Sequence, residues 1–152
     1  MDPLAIKAAL VAQLLQHLEQ NIAETEQAIA SAKESRDNES KSSAGDKYET
    51  GRAMMQIELE NNGRQLDKTR LAKQDLQQLN VQEPHTLVSQ GSLVHTNQGI
   101  YFMSIGFGKL GLAEQPYYAI SLASPIGQAL KNAKVGDTVS FQGKVLKILE
   151  LH

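Results

Sequence analysis

The chain has 152 residues, 41% of them hydrophobic, enough for one ordinary domain or two small ones. Its 15 Lys and Arg stand against 17 Asp and Glu, and a net charge of -2 excludes a general phosphate-neutralising nucleic-acid binder. With no cysteine, disulfides, thiolate nucleophiles and cysteine metal sites are excluded as well.

The first twenty residues, MDPLAIKAALVAQLLQHLEQ, are apolar but interrupted by Lys7, Gln13, Gln16 and His17, and no small-residue cleavage site follows. No stretch approaches the roughly 20 apolar residues of a membrane span. These features predict a cytoplasmic protein without membrane contact. Between Pro3 and Pro84 there is no proline and Tyr48 is the only aromatic, whereas all other aromatics lie beyond position 100. That shift predicts two units: residues 1–80, a linker at 81–84, and residues 85–152.

The first unit reads as two helices. Leu4, Val11, Leu18, Thr25 and Ala32 recur every seven residues, with Ala8, Leu15, Ile22 and Ile29 as a companion row. The pattern stops in Ser35-Arg36-Asp37-Asn38-Glu39-Ser40-Lys41-Ser42-Ser43-Ala44-Gly45, whose side chains compete for backbone hydrogen bonds or permit turns. It resumes through Tyr48, Met55, Asn62, Thr69 and Leu76, with Leu59 and Leu66 alongside. Two arms of similar length predict an antiparallel coiled-coil hairpin, a monomeric rod of roughly 45 Å at 1.5 Å per residue. Its tip falls at about 35–47. Pairing of the arms between chains is the alternative.

The second unit switches to period two. Strands are expected at Ser92–Thr96, Gly99–Ile105 and Tyr117–Leu122. A short helix follows from Ser124 to Ala133, with Ser124 as cap and Pro125 in the first turn. Lys134–Asp137 reads as a turn, and Thr138–Phe141 with Lys144–Leu149 as a hairpin about Gln142-Gly143. The expected class is α+β: the hairpin, then an antiparallel sheet curled around one short helix.

Several motifs point to chemistry by letter alone. Gly106-Phe107-Gly108-Lys109-Leu110-Gly111 matches GxGxxG, but Pro116 and the next strand leave no room for the helix a dinucleotide requires, so a mobile glycine loop is expected. His17, His85, His95 and His152 are dispersed without metal-ligand spacing. Tyr101, Phe102, Tyr117, Tyr118 and Phe141 are expected mainly as core; as a proline-binding pocket they would indicate a prolyl isomerase. No catalytic residue, cofactor or metal site of the chain's own is expected, and the protein reads as a non-enzyme.

The run Ser124–Phe141, SPIGQALKNAKVGDTVSF, resembles the C-terminal domain of the Gre transcript-cleavage factors. The matching pieces are Ser124-Pro125-Ile126-Gly127, Ala129-Leu130 and Val135-Gly136-Asp137, in the family's order and spacing. The resemblance implies an FKBP-like domain behind a helical hairpin. It also implies docking of Ser124, Pro125, Ile126 and Gly127 at the rim of the RNA polymerase secondary channel, with the hairpin tip entering it. Asp37, Glu39, Lys41, Asp46 and Glu49 then become candidate contacts at the polymerase active site.

In cleavage-stimulating members, tip acids help to hold a catalytic Mg²⁺, which needs anionic oxygen ligands. The family tip runs roughly Gly-Asp-Leu-Ser-Glu-Asn-Ala-Glu-Tyr. With Tyr48 aligned to its tyrosine, the two key acids fall on Lys41 and Ala44, neither of which binds a metal. Only a shifted register would bring Asp37, Glu39 or Asp46 to that Mg²⁺. Ala123 also replaces an acid that the family often carries before the Ser-Pro step. The expectation is a polymerase-binding elongation regulator without strong cleavage stimulation and without sequence-specific nucleic-acid binding. A coiled-coil adaptor using the same module for another partner is the alternative.

Overall fold

A computed structural model of the protein describes residues 1–39 and 45–152, and the side chains of all of these except 39 and 45–48. The elements are α1 (Pro3–Glu39), α2 (Gly45–Gln77), β1 (Leu93–Thr96), β2 (Gly99–Met103), β3 (Gly108–Leu112), β4 (Gln115–Ile120), α3 (Pro125–Leu130), β5 (Thr138–Phe141) and β6 (Lys144–Leu151). The class is α+β, with two long helices before a six-stranded sheet and a short helix. Among the described residues no helix is long and apolar enough to cross a membrane. The chain divides into two compact units: Met1–Leu15 with Gln74–His152, and Gln16–Lys73. Residues 81–84 lie in the first of these, beyond the end of α2.

In the Gln16–Lys73 unit, α1 and α2 run antiparallel and pair within the chain. Leu18 and Ala32 of α1 and Leu66 and Thr69 of α2 are buried, while Met55, Leu59 and Asn62 are half-buried on the same α2 row. The seam's polar residues find each other: Thr69 Oγ1 donates to Asn21 Oδ1 (3.2 Å). Arg70 meets Glu26 at 2.9 Å and Lys73 meets Glu19 at 3.6 Å. These ion pairs are largely exposed and contribute at most about 1 kcal/mol each. Burial along the seam contributes more, at ~25 cal/mol per Å² of apolar surface.

In the other unit the first turns of α1 bury Lys7, Leu10 and Leu14, while Ala8 is exposed and Leu15 half-buried. The companion row expected from heptad spacing is thus displaced by one position. The reason is a neighbour that a coiled-coil pattern does not contain: Lys7 Nζ donates to the Glu83 carbonyl (3.4 Å) and Gln13 Nε2 to the Gly111 carbonyl of β3 (2.9 Å).

The sheet order is β3-β4-β2-β1-β6-β5. It is mixed rather than wholly antiparallel, because β2 and β4 pair in parallel, Tyr101 opposite Tyr118. The cause is β3, which occupies the stretch expected as a glycine loop. It pairs antiparallel with β4 about a turn at Ala113 and Glu114, both at positive φ, and β4 returns beside β2. One sheet face presents Val94, Met103, Ile148 and Leu151, which pack with Leu130 of α3, Val88, Ala133 and Leu146 into a core. The opposite face carries Leu93, Phe102, Leu110 and Ala119, also buried.

Ser124 caps α3 as expected: its Oγ accepts from Gly127 N (3.1 Å) and donates to the Ser121 carbonyl (2.6 Å). A Cβ on Gly127 would lie 2.2 Å from the Ser121 oxygen, so the helix start presses on the preceding backbone. In the Lys134–Asp137 turn, Asp137 Oδ2 accepts from Lys134 N (3.0 Å) and Gly136 has φ +92°, a conformation that disfavours any Cβ. Gly127→Ala is expected to destabilise the fold by about 2 kcal/mol, and Gly136→Ala by about 1 kcal/mol. Denaturant unfolding measures both; wild-type midpoints would mean that these turns relax without cost.

Candidate functional site

The four residues expected to dock form one turn at the start of α3. Pro125 is exposed, Ser124 and Ile126 are half-buried, and Gly127 is buried. The side chain of Ser124 is committed to the cap, so Pro125 with the exposed Ala123 and Gln128 forms the accessible surface. Ile126 also lines a cavity of about 230 Å³ with Tyr101, Phe141, Gln98, Gln142, Lys144 and Leu146. Typical small-molecule sites run from ~300 to 1,000 Å³. Of the aromatics considered for a proline pocket, Tyr101 and Phe141 border this cavity, whereas Phe102 and Tyr117 are buried elsewhere in the sheet. The Tyr101 and Tyr118 rings lie 5.9 Å apart, and burial pushes the Tyr101 hydroxyl pKa up.

The expected tip residues are only partly within view. Asp37, near the end of α1, is exposed and its Oδ1 lies 3.5 Å from Arg36 Nε. Glu49, in the first turns of α2, is exposed. Lys41 lies outside the described residues, as do the side chains of Glu39 and Asp46.

Two clusters emerge that spacing along the chain did not reveal. In the first, His85 Nδ1 lies 2.7 Å from Ser92 Oγ and 2.9 Å from Ser89 Oγ, with Nε2 3.3 Å from the Asn80 carbonyl. The carbonyl can only accept, so Nε2 carries the proton and Nδ1 accepts from a serine hydroxyl. Ser89 N in turn donates to Ser92 Oγ (2.9 Å), and the whole set ties residues 80–92 into one braced loop. Burial, followed by the nearby Lys7 charge, lowers the His85 pKa. Lys7 is fully buried, and burial lowers its pKa from 10.5 to about 8.

In the second cluster, His95 on β1 stands opposite Glu150 on β6, and His152 follows two residues later. His95 Nδ1 lies 3.9 Å and His152 Nε2 3.4 Å from Glu150 Oε2. The two rings meet edge to face, 5.7 Å apart. Burial lowers the His95 pKa, Glu150 opposes that shift and His152 adds to it. Among the described residues this is a set of three side chains able to hold a metal ion, its ligand atoms all within 4.8 Å of one another. The signal in the sequence was faint: two adjoining strands with His and Glu-x-His, 55 positions apart and in an unknown register.

The linkage of Lys7 and His85 to stability has the same sign. Each binds its proton less readily folded than unfolded, so stability rises with pH between the folded and unfolded pKa values. For Lys7 that window runs from about 8 to 10.5. Lys7→Met is therefore expected to stabilise the protein at pH 7 by on the order of 2 kcal/mol and to abolish the rise at alkaline pH. For His85 the loss begins as pH falls below about 6.5, and His85→Gln should flatten that acid limb. Thermal unfolding across pH measures both slopes; a Lys7→Met protein less stable than wild type would show that its bond to Glu83 outweighs the cost of burying the charge.

No family model and no curated protein matches the chain. Among solved structures it is similar to one described as the structure of the transcription factor Gfh1. The identity is 18% over 93% of this chain and 92% of that one, with a TM-score of 0.31. A score this low does not establish a shared fold.

Proposed function

We propose that the chain is a Gre-like transcription elongation regulator, a monomer that binds core RNA polymerase at its secondary channel and acts by binding rather than catalysis. The observation that carries this reading is the run Ser124–Asp137. Its residues resemble those of the Gre C-terminal domain, and they form one α3 start and one turn whose geometry accounts for Ser124, Gly127, Gly136 and Asp137. Ser124 caps, Gly127 lets two backbones meet, and Asp137 closes the turn, which leaves Pro125 exposed as the contact surface. The paired α1 and α2 supply the stiff two-helix element that entry into a channel requires.

The regulator does not strongly stimulate transcript cleavage. With Tyr48 aligned to the family's tyrosine, Lys41 and Ala44 fall where the family's metal-binding acids stand. Mixed charge around them gives a second Mg²⁺ little reason to settle, since a hard dication is held by carboxylate oxygens. Occupation of the channel without a second metal would slow or exclude other factors rather than rescue stalled polymerase.

Pro125→Asp is the informative variant, because an acid in the first turn of a helix is well tolerated and the fold should survive. Binding to core RNA polymerase is expected to weaken at least about tenfold, equivalent to 1.4 kcal/mol, with no change in circular dichroism. Undiminished binding, or capture of some other complex in place of polymerase, would favour an adaptor for a different partner. Backtracked elongation complexes given the wild-type protein should cleave their transcripts no faster than controls. Acceleration lost in the combined Asp37→Ala, Glu39→Ala, Asp46→Ala variant would instead assign a cleavage role.

A further inference from the structure

The pairing of β1 with β6 concentrates ligating side chains on one face of the sheet. His95 and Glu150 are direct cross-strand partners. His152 exchanges two backbone hydrogen bonds with Leu93, at 2.9 and 3.0 Å. Because side chains alternate along a strand, His95, Glu150 and His152 all project to the same side. The register slips immediately after His95, so that Thr96 stands opposite Ile148. Such bulges re-aim side chains and recur beside functional sites.

The donor atoms already stand close to the spacing of a coordination sphere. Zinc bonds of ~2.0–2.2 Å in tetrahedral array separate neighbouring ligand atoms by about 3.4 Å. His152 Nε2 and Glu150 Oε2 are at 3.4 Å, and His95 Nδ1 is 3.9 Å from the same carboxylate oxygen. All three donor atoms lie within 4.8 Å of one another, so rotations of the two imidazole side chains that move their nitrogens by about an ångström would close the set. The near-perpendicular rings bring two imidazole nitrogens to one carboxylate without stacking. As an ion pair the same residues would contribute little, since Glu150 is 62% exposed and surface pairs are worth at most about 1 kcal/mol.

From this geometry we propose that His95, Glu150 and His152 form a binding site for a divalent transition metal ion of the zinc class. Two imidazoles and one carboxylate make a borderline donor set, suited to Zn²⁺ or Co²⁺ and poorly suited to Ca²⁺ or Mg²⁺, which take mostly oxygen. Three protein ligands leave a fourth position to water. His95 also borders a cavity of about 330 Å³ lined by Ile6, Ile100 and Tyr117, which gives that position an apolar neighbour. The site shares no residue with the surfaces assigned to polymerase binding.

The test is titration of the chelator-stripped full chain with ZnCl2 by calorimetry, alongside Co²⁺ titration followed by ligand-field absorption. One ion per chain is expected, with a spectrum of low coordination number. His152→Ala and Glu150→Gln should each weaken binding by about tenfold or more, and His17→Ala should leave it unchanged. Imidazole proton resonances of the wild-type chain provide a second measurement that does not depend on variants folding. Shifts confined to His95 and His152 on adding Zn²⁺ support the site. Absence of saturable binding, binding insensitive to both variants, or shifts at His17 and His85 alone would overturn it.

Discussion

The pairing of β1 with β6 holds the sheet unit together. It joins residues more than fifty positions apart, and on either side of it lie β3-β4-β2 and β5. Closing so long a loop costs entropy that grows only slowly with its length, about 0.6 kcal/mol per doubling. Burial of Val94, Ile148 and Leu151 on one face and of Leu93 on the other offsets it. The same strand anchors the turn before β5, where Gly136 N donates to the Ile148 carbonyl (2.9 Å) and Ile148 N to the Asp137 carbonyl (3.0 Å). Loss of the β6 register would therefore release the turn, the α3 core and the His95 cluster together.

That coupling explains why residues that look like a recognition motif are first of all structural. Ser124, Gly127, Gly136 and Asp137 satisfy backbone donors, permit a close approach or adopt a conformation closed to other residues. The exposed atoms of such a surface sit on backbone held by the cap, the close approach and the turn. Backbone held in this way lowers the ordering cost of binding, which favours the docking contact proposed at Pro125.

The helical part works under a different compromise. Its seam includes Thr69, which satisfies its hydroxyl through Asn21 and the Gln65 carbonyl. Such a pair gives up burial and selects one register, since a slip would leave both groups without their partners. Lys7 makes an opposite trade, a fully buried ammonium with one long hydrogen bond and a pKa pulled down to about 8. It stands close enough to His85 for its charge to lower that imidazole's pKa, so the loop at residues 80–92 carries an electrostatic strain that neutral substitution would relieve.

Local physics was legible in the residues themselves. The α2 row through Met55, Leu59, Asn62, Leu66, Thr69 and Leu76 follows from a period of 3.5, and it is the row that turns inward. The Ser124 cap and the Gln142-Gly143 hairpin, both residues at positive φ, follow from turn chemistry that acts over four residues or fewer. Tertiary structure alone decided the rest. Gly108–Leu112 becomes a strand because β4 offers it a partner, against the weak strand preference of its glycines. Ala8 yields to Lys7, Leu10 and Leu14 because the first turns of α1 meet β3 and the loop at Glu83. His95, Glu150 and His152 converge because one strand register, set by burial far along the chain, puts them on one face. Periodicity and capping are short-range and leave their mark in neighbouring residues, whereas strand partners are chosen by the global burial of both sheet faces.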